Sequence, residues 1–271
     1  MPPRGKRRVD LLLVEKGLCS TRERAQAAVM AGLVYADGHP VSKAGTPLPE
    51  TCCLELRGGP LPYVSRGGLK MEKALDVFGV PVAGKRALDI GASTGGFTDC
   101  LLQHGASSVV AVDVGRGQLD WKLRQDSRVT VLERTNARYL TQEQIGGERV
   151  DLAVVDVSFI SLTLILPVVA GMIEGGGWII ALVKPQFEAG QKQVEKGGVV
   201  RDPEVHVQVL EKVLACASGC GLVLEGVTWS PLRGPAGNLE YLAAFRAKER
   251  STGTPEVASI RDVVRRAHQE M

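Results

Sequence analysis

The stretch Leu88-Asp89-Ile90-Gly91-Ala92-Ser93-Thr94-Gly95-Gly96-Phe97 constrains this chain more than any other. An apolar strand runs straight into a glycine-rich turn, and a helix begins near Phe97. Glycines at 91, 95 and 96 let the backbone take positive φ and approach a ligand closely, while the start of the helix aims free N–H groups at it. The order is Gly-x-x-x-Gly-Gly. It is neither the G-x-G-x-x-G of dinucleotide turns nor the Gly-Lys-Ser/Thr ending of phosphate loops, so pyrophosphate fits poorly. Asp113 ends the apolar run Val109-Val110-Ala111-Val112 about twenty residues further on, where a carboxylate holds ribose hydroxyls in such folds. A ligand with an adenosine but no phosphates meets both conditions. S-adenosylmethionine is therefore the expected cofactor, with Gly91, Ala92, Ser93, Thr94, Gly95, Gly96, Phe97 and Asp113 around it. The plainer reading is an ordinary strand-turn-helix corner with a solvated strand end. It loses ground because later strands also end in polar groups on the same edge.

The rest of the chain fits such a sheet. Beyond a helix over Gly68 to Phe78, strands are expected near 86–90, 109–113, 129–132, 151–156, 178–183, 222–229 and 240–246, mostly separated by helical segments. That alternation predicts a doubly wound, mainly parallel seven-stranded sheet whose last two strands pair as a hairpin. Val257, Ile260, Val264 and Ala267 lie at helical spacing among charges, so the tail, 249–271, should hold an amphipathic helix. Before the sheet, residues 9–17 read as a short helix ending at Gly17. Ser20 with Glu23 makes a capping box for a second helix reaching Gly32. Leu33 to Ala36, the Asp37-Gly38 turn and Cys52 to Leu56 complete a compact α/β module over 1–58. Gly58-Gly59-Pro60-Leu61-Pro62 breaks regular structure and marks a linker, 59–65, ahead of a main domain over 66–248.

Charge separates the two parts. Residues 1–60 hold nine Lys/Arg and six Asp/Glu, leaving twenty-four of each for the remainder, so the net charge of +3 belongs to the N-terminal fifth. Arg4, Lys6, Arg7 and Arg8 cluster at its start, which suits nucleic-acid phosphates as well as a merely solvated terminus. The six cysteines form no C-x-x-C pair and no metal-ligand spacing, as expected of reduced thiols in a cytoplasm. The longest uncharged run, Val157 to Ile173, is too short for a membrane span and is broken by Ser158, Ser161, Thr163 and Pro167; it reads as buried strand, loop and helix.

The N-terminal pattern Arg8-Val9-Asp10-Leu11-Leu12, Gly17-Leu18, Ser20-Thr21-Arg22-Glu23-Arg24-Ala25, Ala31-Gly32-Leu33-Val34 and Asp37-Gly38 resembles the alpha-L RNA-binding module of a small-subunit ribosomal protein. By that likeness the basic start, the Arg22 and Arg24 face and, further on, Arg66 contact RNA backbone.

Four polar residues mark the chemistry. Lys70 follows Ser65-Arg66-Gly67-Gly68-Leu69 near the start of the first long helix, Asp156 and Lys184 end apolar strands, and Glu240 lies in Gly237-Asn238-Leu239-Glu240-Tyr241. Methyl transfer from a sulfonium to a ribose 2′-hydroxyl needs in-line geometry and removal of one proton. A lysine in its amine form can accept that proton while carboxylates orient it. Lys184 is the expected base, Asp156 and Glu240 its partners, and Lys70 the second cation. Singly, each residue would serve equally well as a strand-end ion pair.

The segments Gly91 to Thr98, Asp113-Val114-Gly115-x-Gly117-Gln118-Leu119, Glu133 to Arg138, Asp156 to Leu162 and Lys184-Pro185-Gln186-Phe187-Glu188 resemble the TlyA group of ribosomal-RNA methyltransferases within the FtsJ-like class. The likeness implies a Rossmann-like class I methyltransferase fold and S-adenosylmethionine-dependent 2′-O-methylation of cytidine in ribosomal RNA. It makes Lys70, Asp156, Lys184 and Glu240 the catalytic tetrad, Asp156 also a neighbour of the cofactor, and Asn136 an adenine-side contact. It calls for no metal and no stable protein partner. Where family members can carry a basic-aromatic-Trp-Val linker, this chain has Leu61-Pro62-Tyr63-Val64. Its basic N-terminal extension and C-terminal helix are those of members modifying both ribosomal subunits. The rival readings are a non-catalytic RNA-binding or ribosome-assembly factor, a methyltransferase of another RNA, and a membrane-active haemolysin, a label sometimes attached to the family. No span or pore-like segment supports the last.

Overall fold

The computed structural model describes residues 5–19, 21–30, 32–41, 43–56, 62–248 and 259–271, less the side chains of Glu23, Ala27 and Met30. Arg4, Ser20 and the Glu23 side chain of the proposed capping box, Ala31 of the N-terminal pattern, the 59–61 part of the linker, and Val257 lie outside the described residues. The chain divides into two compact units, Met1–Arg66 and Gly67–Met271.

In the smaller unit, helices Val9–Glu15 and Arg22–Met30 bury Val9, Leu12, Leu13, Ala25 and Val29 with Val34 and Leu54 of a three-stranded antiparallel sheet. Its central strand, Val34–Ala36, lies between His39–Pro40 and Leu54–Leu56. Asp37 (φ 48°) and Gly38 (φ 81°) both take positive φ, as the tight turn between the first two strands requires, and the Asp37 carboxylate accepts the Cys53 N–H at 2.9 Å. A second ribbon, Lys6–Arg8 paired with Pro47–Pro49, has no counterpart in the sequence reading. Neither segment alternates, and a Pro-x-Pro strand survives only at an edge.

The larger unit carries strands β1 (Arg86–Ile90), β2 (Ser108–Val112), β3 (Val129–Leu132), β4 (Val150–Val155), β5 (Ile173–Val183), β6 (Leu222–Trp229) and β7 (Tyr241–Ala247). They form one sheet in the order β6-β7-β5-β4-β1-β2-β3. All pairs are parallel except those of β7, which runs antiparallel to both β5 and β6, as the hairpin reading required. Near-continuous burial along β1, β2, β4 and the Ile179–Val183 half of β5 reflects cover on both faces. The chain order reverses between β1 and β4, which creates a crevice at the carboxyl ends of these strands. β5 is longer than expected. Its register is irregular between Ile173 and Trp178, across a triple glycine, and a Cβ on Gly177 would lie 2.8 Å from the Asp151 carbonyl oxygen.

The apolar run after Asp156 resolves into a loop and the helix Leu162–Ala170, capped by Ser161, which accepts the Thr163 N–H. Pro167 withholds an N–H from the Thr163 carbonyl, and the Cys216 thiol points to that oxygen instead at 3.6 Å. The C-terminal helix Ile260–Glu270 buries Val263, Val264 and Ala267 in the same core as the helix Pro203–Gly219.

Candidate active site

The glycine turn is held by close backbone approach. Gly91 has φ 84°, and a Cβ there would sit 2.3 Å from the carbonyl oxygen of Asp156, so the turn after β1 presses against the end of β4. The N–H groups of Gly91 and Ala92 donate to the Val112 carbonyl, binding the turn to β2 as well. Asp113 then bridges two loops: its Oδ2 accepts the Ser93 N–H at 2.8 Å and its Oδ1 the Gly115 N–H at 2.6 Å. Gly95 (φ 93°) opens the helix Gly96–Gln103, packed so closely on Leu119 and Leu123 that a side chain would collide. Ala92, Ser93, Asp113, Gln118, Leu119 and Glu133 line a hollow with two carboxylates and no Lys or Arg. Glu133 is paired with Arg124 and accepts the Gly117 N–H, while the Asp113 carboxylate stands at the end of β2 as an acceptor of the kind that nucleoside hydroxyls need. Thr94 contributes its carbonyl, which accepts the Asp120 N–H. Phe97 turns inward and is buried, so only the helix start, not its ring, faces the turn. Asn136 is exposed and caps the short turn Ala137–Tyr139 by accepting the Arg138 N–H.

Asp89 escaped the sequence reading. It lies in β1, fully buried, with Oδ2 accepting the Thr98 hydroxyl at 2.7 Å and Oδ1 without a partner. Burial pushes its carboxyl up to about 7; the Thr98 hydrogen bond opposes the shift, and the charges of Asp156 and Asp113 add to it. Within an otherwise apolar strand it looks like an interruption, and only the fold shows it beneath the glycine turn.

All four proposed catalytic residues reach one edge of the sheet. Asp156 and Lys184 follow β4 and β5 directly. Because β7 is antiparallel, its start lies at the same edge, and the last register pair, Val183 with Tyr241, makes Lys184 and Glu240 neighbours across two strands. The residues are joined as two ion pairs: Lys184 Nζ to Asp156 Oδ1 at 2.5 Å, and Lys70 Nζ to Glu240 Oε2 at 2.5 Å. This corrects the expectation that Glu240 orients Lys184. The Glu240 carboxylate turns to Lys70 on the helix Gly67–Phe78, into room left by Gly234, where a Cβ would come within 2.5 Å of Oε1. Lys184 also donates to Ser158 Oγ at 3.0 Å. The lysine side chains are only 12% and 11% exposed, and Glu240 is 1% exposed, so both pairs are largely shielded from water.

Two further features went unread. Phe159 is 90% exposed at φ 63°, a conformation costly for a bulky side chain, and its ring lies 4.8 Å from that of Phe187, beside Lys184. Glu188 is buried and accepts from Ser161 Oγ and the Leu162 N–H, each at 2.6 Å, which ties the Lys184 turn to the loop after Asp156. Behind Glu240, the Tyr241 hydroxyl meets His206 Nδ1 at 2.7 Å, and His206 Nε2 meets the Val200 carbonyl at 3.0 Å. A carbonyl only accepts, so His206 carries its proton on Nε2 and receives one from tyrosine; burial holds its pKa down to about 4.

In the smaller unit the expected RNA contacts are not bare charges. Arg8 and Arg22 both bond to Asp10, and Arg7 pairs with Glu15 at 2.6 Å. Lys6 and Arg24 are exposed, and the Arg66 guanidinium packs against Gly32.

Fold and site together define a methyltransferase joined to a small RNA-binding-type module. The model of the FtsJ-like methyltransferases matches residues 63–247, and that of the S4 domain residues 7–51. The chain is 47% identical over 264 residues to the 16S/23S rRNA (cytidine-2′-O)-methyltransferase TlyA of Mycobacterium tuberculosis, covering 97% of each. It is 42% identical to Hemolysin A of Brachyspira hyodysenteriae over 88% of this chain and 99% of that one. A solved structure of a candidate hemolysin from Streptococcus thermophilus superposes with a TM-score of 0.78 at 48% identity, covering 100% of this chain and 97% of that one. The chain belongs to the TlyA family of FtsJ-like methyltransferases with an N-terminal S4 domain. Among the described residues no helix is long and apolar enough to cross a membrane.

Proposed function

We propose that this protein transfers a methyl group from S-adenosylmethionine to the 2′-hydroxyl of cytidine in ribosomal RNA. The observation that carries this reading is the Lys184–Asp156 pair standing beside the glycine turn at the switch point of the sheet. Asp113, Ser93, Gln118 and Glu133 would hold the nucleoside part of the cofactor, which supplies an electrophilic methyl on a sulfonium. The chain's own residues handle the hydroxyl. Asp156, as its ion-pair partner, and Ser158, as its hydrogen-bond acceptor, hold the Lys184 nitrogen beside the glycine turn, where in its amine form it takes the 2′-proton as the oxygen attacks. Lys70, clamped by Glu240, brings positive charge to the oxygen as its proton leaves. Phe159 offers an open ring on which a base drawn out of its stack can rest. The N-terminal module, about residues 1–58, supplies affinity for ribosomal RNA or subunits, and a ribosomal substrate puts the work in the cytoplasm.

The deciding experiment maps 2′-O-methyl groups in both ribosomal RNAs from cells with and without the protein, then repeats the reaction with purified components. Loss of cytidine 2′-O-methylation, restored by wild-type protein, is the expected result. Unchanged maps with no transfer in vitro would leave an RNA-binding factor in place of the enzyme.

A further inference from the structure

We infer that Asp10 is a positioning residue for RNA binding, holding Arg8 and Arg22 as a two-arginine clamp for backbone phosphates on the N-terminal unit. This deepens the reading that the unit supplies RNA affinity, and rests on it. Asp10 is fully buried, yet its carboxylate accepts five hydrogen bonds: Arg8 Nε at 2.9 Å and Arg8 Nη2 at 2.8 Å, Arg22 Nε at 3.1 Å, Gln26 Nε2 at 3.0 Å and the Leu11 N–H at 3.0 Å. Arg8 comes from the first strand, Asp10 from the first helix, and Arg22 and Gln26 from the second, so one carboxylate joins three elements.

A bare arginine is a long, mobile chain that must be ordered when it binds. These two are ordered in advance. Each guanidinium has five N–H donors. Arg8 gives two of them to Asp10, leaving three, and Arg22 gives one, leaving four. The side chains remain 43% and 48% exposed, so the outer donors meet solvent while the inner ones are pinned. Arg8 is further confined by Gly45, where a Cβ would come within 3.4 Å of its Nη1. Two planar forks fixed around one buried anion suit a phosphate chain, since planar, bidentate donors match phosphate geometry.

The test sets positioning against charge. In full-length protein, Asp10→Asn removes a negative charge, so charge alone gives tighter binding to purified large-subunit ribosomal RNA. Positioning gives the opposite: affinity about five- to tenfold weaker, and a salt dependence shallower by about one phosphate contact. Circular dichroism and limited proteolysis show whether the N-terminal unit is folded. Should Asp10→Asn unfold it, Arg22→Lys decides, because it keeps the charge and loses the fork; about threefold weaker binding with a shallower slope is expected. A folded Asp10→Asn variant that binds as well as wild type or better overturns the proposal, as does an Arg22→Lys variant with unchanged affinity and slope. The double variant Arg8→Ala/Arg22→Ala separates the two levels. If it alone weakens binding, the unit binds RNA without the clamp; if it too is silent, these arginines have no part in RNA binding.

Discussion

Asp10 and Asp89 are both fully buried aspartates, one in each unit, and their surroundings push them in opposite directions. The Arg8 side chain holds the Asp10 carboxyl far below the usual carboxylate range, helped by Gln26 and Arg22 against the cost of burial. Asp89 has only Thr98 as a donor, through its hydroxyl and its backbone N–H, and two other carboxylates in its neighbourhood, and burial lifts it to about 7. The difference is one of purpose. Around Asp10 the partners are guanidiniums that never lose their protons, so charge is fixed and available for recognition. At the edge of the large sheet the cations are lysines, which can lose a proton, and carboxylates crowd one another. One region holds charge still; the other is where the proposed reaction moves a proton.

A charge-preserving swap at Lys184 is the strongest way to break that distinction. Lys184→Ala and Lys184→Arg should both lower single-turnover methylation by about 10²–10⁴-fold, the usual size of a general-base contribution, while binding of S-adenosylmethionine by calorimetry stays near wild type. Arginine keeps the charge and cannot give up its proton. An arginine variant that methylates at near wild-type rate would leave Lys184 an electrostatic role only.

How much of this could be read in advance follows from how local each feature is. Asp113, Asp156 and Lys184 stand where apolar strands stop, so a single strand betrays each of them. The turn at 91–97 is legible because glycines declare the conformations they permit. The pairing of the four proposed catalytic groups is not local. It depends on the antiparallel register that sets Tyr241 opposite Val183 and on Gly234 leaving room for Glu240. Asp10 looks like any acid in a first helical turn until Arg8 and Arg22 arrive from other elements. Phe159 is hidden for a different reason: a phenylalanine carries no signal that its backbone will take positive φ.

The buried pair can also be separated by pH. Below pH 3.8 Asp89 is protonated whether the chain is folded or not. Between 3.8 and about 7 the folded state keeps a proton that the unfolded state releases, so stability falls as pH rises, and above about 7 the penalty is complete. Three units correspond to about 4 kcal/mol at most. Asp89→Asn should therefore match wild type near pH 4 and melt at a higher temperature at pH 8. His206 works in the other sense, because its depressed pKa removes stability as pH falls from 6.5 to about 4, so the acid limb should persist in the variant. Parallel pH curves for the two proteins would mean that Asp89 is no buried acid of raised pKa.

Asp113 tests whether the fixed-charge description stops at the smaller unit. Its carboxylate bonds two backbone N–H groups with no cation in direct contact among the described residues, in the hollow assigned to the cofactor. Asp113→Ala should weaken S-adenosylmethionine binding by about 10- to 100-fold, the value of lost hydrogen bonds to a charged group, without changing RNA affinity. Equal affinity in calorimetry would remove Asp113 from the cofactor site.

The smallest effect should come from Phe159, which carries no charge and so isolates stacking from everything above. Its ring is almost wholly exposed, at a backbone angle that the loop between Asp156 and the Ser161 cap must enforce. Phe159→Ala relieves none of the positive φ but deletes the ring, and Phe159→Trp enlarges it. A base stacked on an aromatic side chain is worth about 1–3 kcal/mol, so the alanine variant should lower kcat/KM for RNA by about 5- to 100-fold, with tryptophan near wild type and cofactor affinity constant. If alanine and tryptophan lose activity alike, the loop's shape rather than its ring is what the reaction needs, and the strain at 159 serves to place Asp156 and Ser158 against Lys184.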